Sequence, residues 1–278
     1  MHKLMLKALP NPVLKRIKRN TKGRDLITGD IHASYDLLLR AMDKVNFDQS
    51  CDRILSVGDL IDRGPGSHRT ARFLSHDWVH AVLGNHEAML LEAYQDGEAH
   101  PAVLEYMHSR NGFSWWRDTK DSVKADILAA VRKLPLAIEV DTKRGPAGLI
   151  HADVPRGMSW QEFIAALESG DLAVAEVALW GRDRLYDNDA SGVDGIGRLF
   201  VGHTPMKRLT KFGNVYAVDT GAVYGLLEAS DGALTFVDIT TGTALLKTVQ
   251  SMKRPEDMVF AIAPEDVPEG RFSSSLAL

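Results

Sequence analysis

Short apolar runs that close on glycine with acidic or imidazole side chains, each followed by helix-type sequence, constrain this chain more than any other feature. "DLITGD" (25–30) leads into "SYDLLLRAMDKV" (34–45), "RILSVGD" (53–59) into "SHRTARFLS" (67–75), and "WVHAVLGN" (78–85) into "EAMLLEAY" (87–94). Leu37, Leu38 and Ala41 fall at helical spacing, whereas the runs before the glycines read as strands. This alternation predicts βαβ units and a layered α/β core. Residues 98–134 read as mainly helical, with Pro135 as the stop. "LAIEV" and "GLIHAD" resume strands, and "SWQEFIAALESG" (159–170) predicts a helix with a Ser159/Glu162 capping box and a Gly170 stop. From Leu199 onward "RLFVGH", "NVYAVD", "YGLLEA", "LTFVDI" and "ALLKTVQ" all read as strands. No linker interrupts this pattern, and no repeat of about 20 to 50 residues occurs. One catalytic-size domain over 25–250 is expected, between a basic arm (1–24) and a mobile tail (251–278). The arm has no acid before Asp25 and reads as solvated, with an acidic lipid surface or acidic partner as the sharper alternative.

Composition narrows the function. A net charge of −4 argues against a dedicated nucleic-acid binder. No apolar run reaches the ~18 residues that span a bilayer. Lys7 and Pro10 interrupt the short apolar stretch at the start, so a secretory signal is not expected. Cys51 stands alone, which excludes an internal disulfide and any multi-cysteine metal site and points to a reducing cytoplasm. A metal, if bound, must use His, Asp, Glu or Asn.

Side chains of those types recur at the strand ends. Asp30 and His32 close the first strand, Asp59 the second, and Asn85 with His86 the third; His151 follows "GLI" and His203 follows "LFVG". Ligand sites in open α/β sheets form outside the carboxyl ends of the strands. A lone Asp or His in such a place is usually a turn or capping group. Recurrence at five strand ends, with glycine at 29, 58, 84 and 202, argues for a site of mixed oxygen and nitrogen ligands suited to a divalent ion.

The motifs "GDIHA" (29–33), "GDLIDRGP" (58–65), "GNHE" (84–87), "HAD" (151–153) and "GHT" (202–204) resemble those of the calcineurin-like metallophosphoesterases. They are most similar to the phosphoprotein phosphatase family in its short bacterial and bacteriophage forms. The similarity runs in order from about Asp25 to Tyr224 and includes "LWGRDR" (179–184) and "VYAVDTGAVYG" (215–225). The resemblance implies a layered β-sandwich of mixed sheets flanked by helices, with a two-metal site at the carboxyl ends of the strands. It implies two divalent ions about 3.5–4 Å apart, manganese being the expected metal and iron or zinc the alternatives. Asp30 and His32 would hold one ion, Asp59 would bridge both, and Asn85, His151 and His203 would complete the other. In-line attack would come from a hydroxide shared by the ions, with no phosphoenzyme.

His86 is implied to be the proton donor to the leaving oxygen rather than a ligand, with Asp62 hydrogen-bonded to it. Neighbouring residues leaving a strand point in different directions, so Asn85 and His86 do not readily serve the same ion. Arg63 and Arg182 resemble the two guanidinium groups that grip the phosphoryl oxygens. Arg184 is close enough to be confused with Arg182, and one of the two is expected to pair with Asp183 on the surface. Glu87 is expected to cap the following helix, and Asp219 and Gly221 to shape the backbone beside the site. Tyr224 reads equally as a pocket or a core residue. Two departures stand out: Ala33 occupies a position usually held by Gly, and Pro205 follows "GHT" where many phosphodiesterases of the wider superfamily carry a second His. The implied substrate is a phosphorylated protein or small aryl phosphate. A symmetrical dinucleoside tetraphosphate is the alternative, suggested by "RGPGS" (63–67), and a catalytically silent metal-binding scaffold the third reading.

Overall fold

The computed structural model describes residues 7–227, 232–240 and 259–262. The strands in chain order are β1 (Leu14–Ile17), β2 (Asp25–Thr28), β3 (Arg53–Ser56), β4 (Val79–Ala81), β5 (Ala137–Val140) and β6 (Ala147–Leu149). They continue with β7 (Arg198–Val201), β8 (Thr210–Phe212), β9 (Val215–Ala217), β10 (Leu234–Asp238) and β11 (Val259–Ile262). The first helices are α1 (Tyr35–Lys44), α2 (Thr70–Leu74), α3 (Asn85–Ala93), α4 (Pro101–Arg110) and α5 (Asp121–Val131). After them come α6 (Trp160–Glu168), α7 (Leu172–Trp180), α8 (Asp183–Tyr186) and α9 (Ala222–Leu226).

Two mixed sheets result. One runs β1-β5-β6-β7-β9-β8 and the other β11-β10-β2-β3-β4. Their facing sides share one apolar layer, in which Ile27, Leu55 and Val237 meet Ile138, Leu149, Phe200 and Tyr216. The next residue along each strand turns the other way, so Leu26, Ile54 and Leu199 join the helices in the larger core. Strands buried on both faces read as continuous apolar runs, which is why "DLIT" and "RILS" lack a clean alternation. The layered sandwich expected from the motif series is therefore the observed architecture. No helix of the described residues is long and apolar enough to cross a membrane.

Parallel pairing places the functional segments. β2, β3 and β4 are adjacent and parallel, as are β6 and β7. The turns after all five meet on one rim of the sandwich, where Asp30 contacts His203, Asn85 contacts His151, and Asp59 lies with His151 and His203. The register of β2 on β3 is marked by Asp25 opposite Arg53, whose Nε and Nη2 donate to the two carboxylate oxygens at 2.7 and 2.8 Å. The expected capping box on α6 is present, with the Ser159 amide donating to Glu162 Oε2 at 2.8 Å.

Three sequence expectations differ from the structure. The basic segment 1–24 is not wholly a solvated arm: Leu14 and Ile17 are buried, and β1 pairs with β5 in parallel. Some of its charges find acids within the chain, as in Lys7 with Asp96 and Arg16 with Glu139. Of "YGLLEA" (224–229), expected as strand, Tyr224, Gly225 and Leu226 instead end α9, while 228–229 lie outside the described residues. There the Gly221 amide donates to Asp219 Oδ1 at 2.8 Å, and a φ of 77° at Gly221 turns the chain out of line with β9. Part of the expected mobile tail forms β11, antiparallel to β10, while "ALLKTVQ" (244–250) lies outside the described residues.

Arg53→Met removes the bidentate partner of a buried carboxylate at the start of two site-bearing strands. A loss of roughly 3 kcal/mol in unfolding free energy is expected by urea denaturation.

Candidate metal centre

The turns that follow the strands are laced together by main-chain hydrogen bonds. The His32 amide donates to Asp59 O at 2.8 Å, Ala33 to Leu60 O at 2.9 Å, and Gly64 back to His32 O at 3.1 Å. Such tight exits force left-handed backbone on side-chain-bearing residues. His32, Ala33, Asp59, Asp62, Arg63 and His203 all have positive φ, and the other non-glycine residues of that kind among those described are Asn46 and Asn188. Each such residue costs about 1–2 kcal/mol, a strain that concentrates where side chains must be aimed. Ala33, at φ 58°, accordingly fills a position that glycine would adopt more easily.

Glu87 organises the turn. Fully buried, its carboxylate accepts four main-chain N–H groups: Asp59 and Gly84 on Oε2 at 3.0 and 3.1 Å, and Leu60 and Ile61 on Oε1 at 2.8 and 3.1 Å. Burial and the neighbouring Asp59 push this carboxyl up, against the pull of His86 and the amides of Leu60 and Ile61. Glu87 thus ties the loop after β3 to the start of α3, a wider task than capping that helix. The same helix start sends the His86 amide to Asp59 Oδ1 at 3.1 Å. At Gly84 a side chain is sterically impossible, since a Cβ there would lie 2.2 Å from Asp59 N and 2.3 Å from Asp59 Oδ1.

Two three-residue groups converge, each with donor atoms within 4.8 Å of one another: His32, Asp59 and His86 in one, Asp59, His151 and His203 in the other. Asp59 belongs to both. Nδ1 of His32 donates to Ile61 O at 2.9 Å and Nδ1 of His151 to Val57 O at 2.8 Å, which leaves their Nε2 lone pairs facing the cluster. Asn85 Oδ1 lies 2.8 Å from both His151 Nε2 and His203 Nδ1, and His203 Nε2 is buried without a hydrogen-bond partner among the described residues. Asp30 lies at the edge, accepting the His203 amide on its two oxygens at 3.0 and 3.2 Å.

Charge tells the same story. Burial lowers His32, His151 and His203, so these rings are in the neutral, metal-binding form. Burial opposes the charge on Asp59, but the imidazoles of His151, His86, His32 and His203, which take up positive charge as pH falls, outweigh it and hold the carboxyl below its ordinary range. Burial, then Asp219 and Asp59, raises Asp30, and burial raises Asp219 to about 6. Lone pairs 2.8 Å apart and crowded buried carboxylates repel each other unless a proton or a cation lies among them. Turning the Asn85 amide over would relieve the first conflict but not the second. The donor set fits divalent metal.

His86 is turned differently from Asn85. Its Nδ1 meets Asp62 Oδ2 at 2.6 Å, and its Nε2 lies 3.1 Å from Arg63 Nη2 and 3.9 Å from Asp59 Oδ2. Burial pulls the imidazole down, yet Asp59 and the hydrogen bond to Asp62 outweigh it and leave His86 above its ordinary value. Arg63 also reaches His32 Nε2 at 2.6 Å and stacks over Tyr224, 5.6 Å from the ring centre. Tyr224 is therefore at the site rather than in the core. Arg182 donates to Thr204 Oγ1 at 3.0 Å, beside His203. Arg184 does not pair with Asp183 at the surface; it is buried and donates to Asp153 Oδ1 at 2.8 Å, because α8 turns it inward. Trp115, which carried no signal in the sequence, donates its indole N–H to Asp62 Oδ1 at 2.8 Å. A cavity of about 530 Å³ opens beside Arg63 and Trp115, and one of about 350 Å³ beside Tyr224 and Pro205.

Comparison with known proteins gives consistent relatives. The profile of the calcineurin-like phosphoesterases matches residues 24–206. Serine/threonine-protein phosphatase 1 of Salmonella typhimurium is 34% identical over 78% of this chain and 94% of that protein. The symmetrical bis(5'-nucleosyl)-tetraphosphatase of Cellvibrio japonicus is 27% identical over 77% of this chain and 94% of that protein. A solved structure provisionally named a diadenosine tetraphosphatase superposes with a TM-score of 0.56 at 18% identity, over 90% of this chain and 97% of that one.

Glu87→Gln replaces two acceptor oxygens by one oxygen and an N–H₂ that faces main-chain donors. A cost of about 3 kcal/mol in unfolding free energy is expected from denaturant titration.

Proposed function

The chain belongs to the calcineurin-like phosphoesterase family and is a hydrolase, and we propose that it is a metal-dependent phosphomonoesterase acting on phosphorylated serine or threonine in proteins. The observation that carries this reading is the buried Asp62–His86 hydrogen bond of 2.6 Å, which turns His86 toward Asp62 although its ring also lies within reach of one of the two donor groups that share Asp59. Asp30, His32 and Asp59 would hold one divalent ion, and Asp59, Asn85, His151 and His203 the other. When bound, such ions supply Lewis acidity toward a phosphoryl oxygen and activate water near neutral pH. Manganese is the proposed metal and the cytoplasm the proposed compartment.

The chain's own groups then divide the work. Arg63 and Arg182 bind the phosphoryl oxygens, and their fixed charge offsets what develops there during transfer. Binding takes the Arg63 guanidinium from the two imidazoles to the phosphoryl group. His86 keeps its Nδ1 proton on Asp62 and delivers the Nε2 proton to the departing alkoxide. Asp62 holds the tautomer and stabilises the charged ring. Small phosphoesters and phosphotyrosine are accommodated by the same chemistry.

Hydrolysis of dinucleoside tetraphosphates is the second reading, favoured by the likeness to the Cellvibrio japonicus protein. A side-by-side assay of the metal-loaded enzyme separates them. A kcat/KM on a phosphoserine peptide at least about tenfold above that on diadenosine tetraphosphate is expected, and a preference of that size for the dinucleotide would reverse the assignment. His86→Asn is expected to lose about 10²- to 10⁴-fold in turnover of the phosphoserine peptide. Its metal content, read by elemental analysis, should be unchanged; a parallel fall in metal would make His86 a ligand.

A further inference from the structure

We propose that Trp115 is a positioning residue for proton transfer, holding Asp62 so that Asp62 in turn aims His86. The inference rests on the assignment of His86 as the general acid.

Asp62 is completely buried, and among the described residues its carboxylate makes two hydrogen bonds. Oδ2 takes His86 Nδ1 at 2.6 Å, and Oδ1 takes the indole N–H of Trp115 at 2.8 Å. One bond alone leaves a carboxylate free to rotate about Cβ–Cγ; a second bond on the other oxygen fixes its plane. The main chain of Asp62 is pinned separately, its amide donating to Ser67 Oγ at 2.9 Å. Indole is suited to this task because its N–H donates and never accepts. It satisfies the second oxygen without competing for the His86 proton.

Trp115 is itself held to the turn that it serves. It lies in the 3-10 turn Phe113–Trp116, which opens at Gly112 with φ 71°. The Arg63 amide donates to Gly112 O at 3.3 Å, and a Cβ on Gly112 would come within 2.9 Å of Arg63 N and Cα. Main chain and indole therefore dock together on Asp62–Arg63. Edge-on contacts with Phe113 at 5.5 Å and Trp116 at 5.1 Å restrict the ring, and Thr119 Oγ1 donates to Trp115 O at 2.8 Å. Without the indole donor, a buried carboxylate oxygen is left unpaired. The carboxylate is then free to rotate, which weakens its hold on Nδ1–H of His86. A tryptophan that served only as a wall of the adjoining cavity would need no donor aimed at Asp62.

Trp115→Phe keeps the ring and deletes the donor. The measured quantity is the ratio of kcat/KM on a phosphoserine peptide to that on p-nitrophenyl phosphate, whose leaving group needs little protonation. This ratio does not depend on how much of a preparation is folded. It is expected to fall about tenfold in Trp115→Phe, through kcat rather than KM, and further in His86→Asn. Adding Trp115→Phe to His86→Asn should lower it no more, since both act on one proton. An equal loss on both substrates, or none, while His86→Asn still splits them, would overturn the role of Trp115 and leave His86 standing. No split in His86→Asn would remove the general acid and the inference together. Independently of metal and turnover, the indole N–H resonance assigned through Trp115→Phe should move in Asp62→Ala, and an unmoved resonance would also overturn it.

Discussion

Everything at the rim of this sandwich depends on one buried carboxylate gathering four main-chain amides. Glu87 fixes the loop after β3 against the start of α3. Asp59 and Asp62 come from that loop, and Asn85 and His86 from that helix start. Their relative placement is thus set by hydrogen bonds that involve none of the groups proposed to react. Main-chain lacing between the β2 and β3 turns extends the same frame to Asp30 and His32. A site built on strand ends and a helix start is stiffer than one carried on free loops.

That frame holds together an arrangement that is unfavourable by itself. Asp59 lies among four imidazoles, three of them neutral, and Asp30 is crowded by Asp219. Left-handed backbone at His32, Asp59 and His203 adds strain. Such a concentration of lone pairs and carboxylates is poor folding design and good metal-binding design. The same rim separates functions by direction. Asn85 turns toward His151 and His203, whereas His86 turns toward Asp62, away from Asn85.

Much of this was legible in the sequence for a physical reason. Parallel strands bring their carboxyl ends to one edge, so polar residues after successive apolar runs converge whatever lies between them. The fold class and the convergence of Asp59, Asn85, His151 and His203 follow from that rule, and the helix at 159–170 from its Ser159/Glu162 capping box. Less legible were features decided by tertiary contact. β1 is a basic segment whose Leu14 and Ile17 supply just enough apolar surface to join a sheet edge. In α9 a run with strand composition is wound up by Gly221 and the Asp219 side chain. Arg184 and Arg182 are two residues apart, yet the α8 turn sends one into the core and the other to Thr204. Trp115 is 53 residues from Asp62, and no spacing pattern links an indole donor to a distant carboxylate.

The central claim is that one shared carboxylate, Asp59, organises two cation sites while His86 remains outside both. Anomalous diffraction from crystals grown with manganese tests it most directly. Two peaks flanking the Asp59 carboxylate are predicted, with His86 still hydrogen-bonded to Asp62 and coordinated to neither ion. A single peak, or an ion bound by His86, would contradict the account.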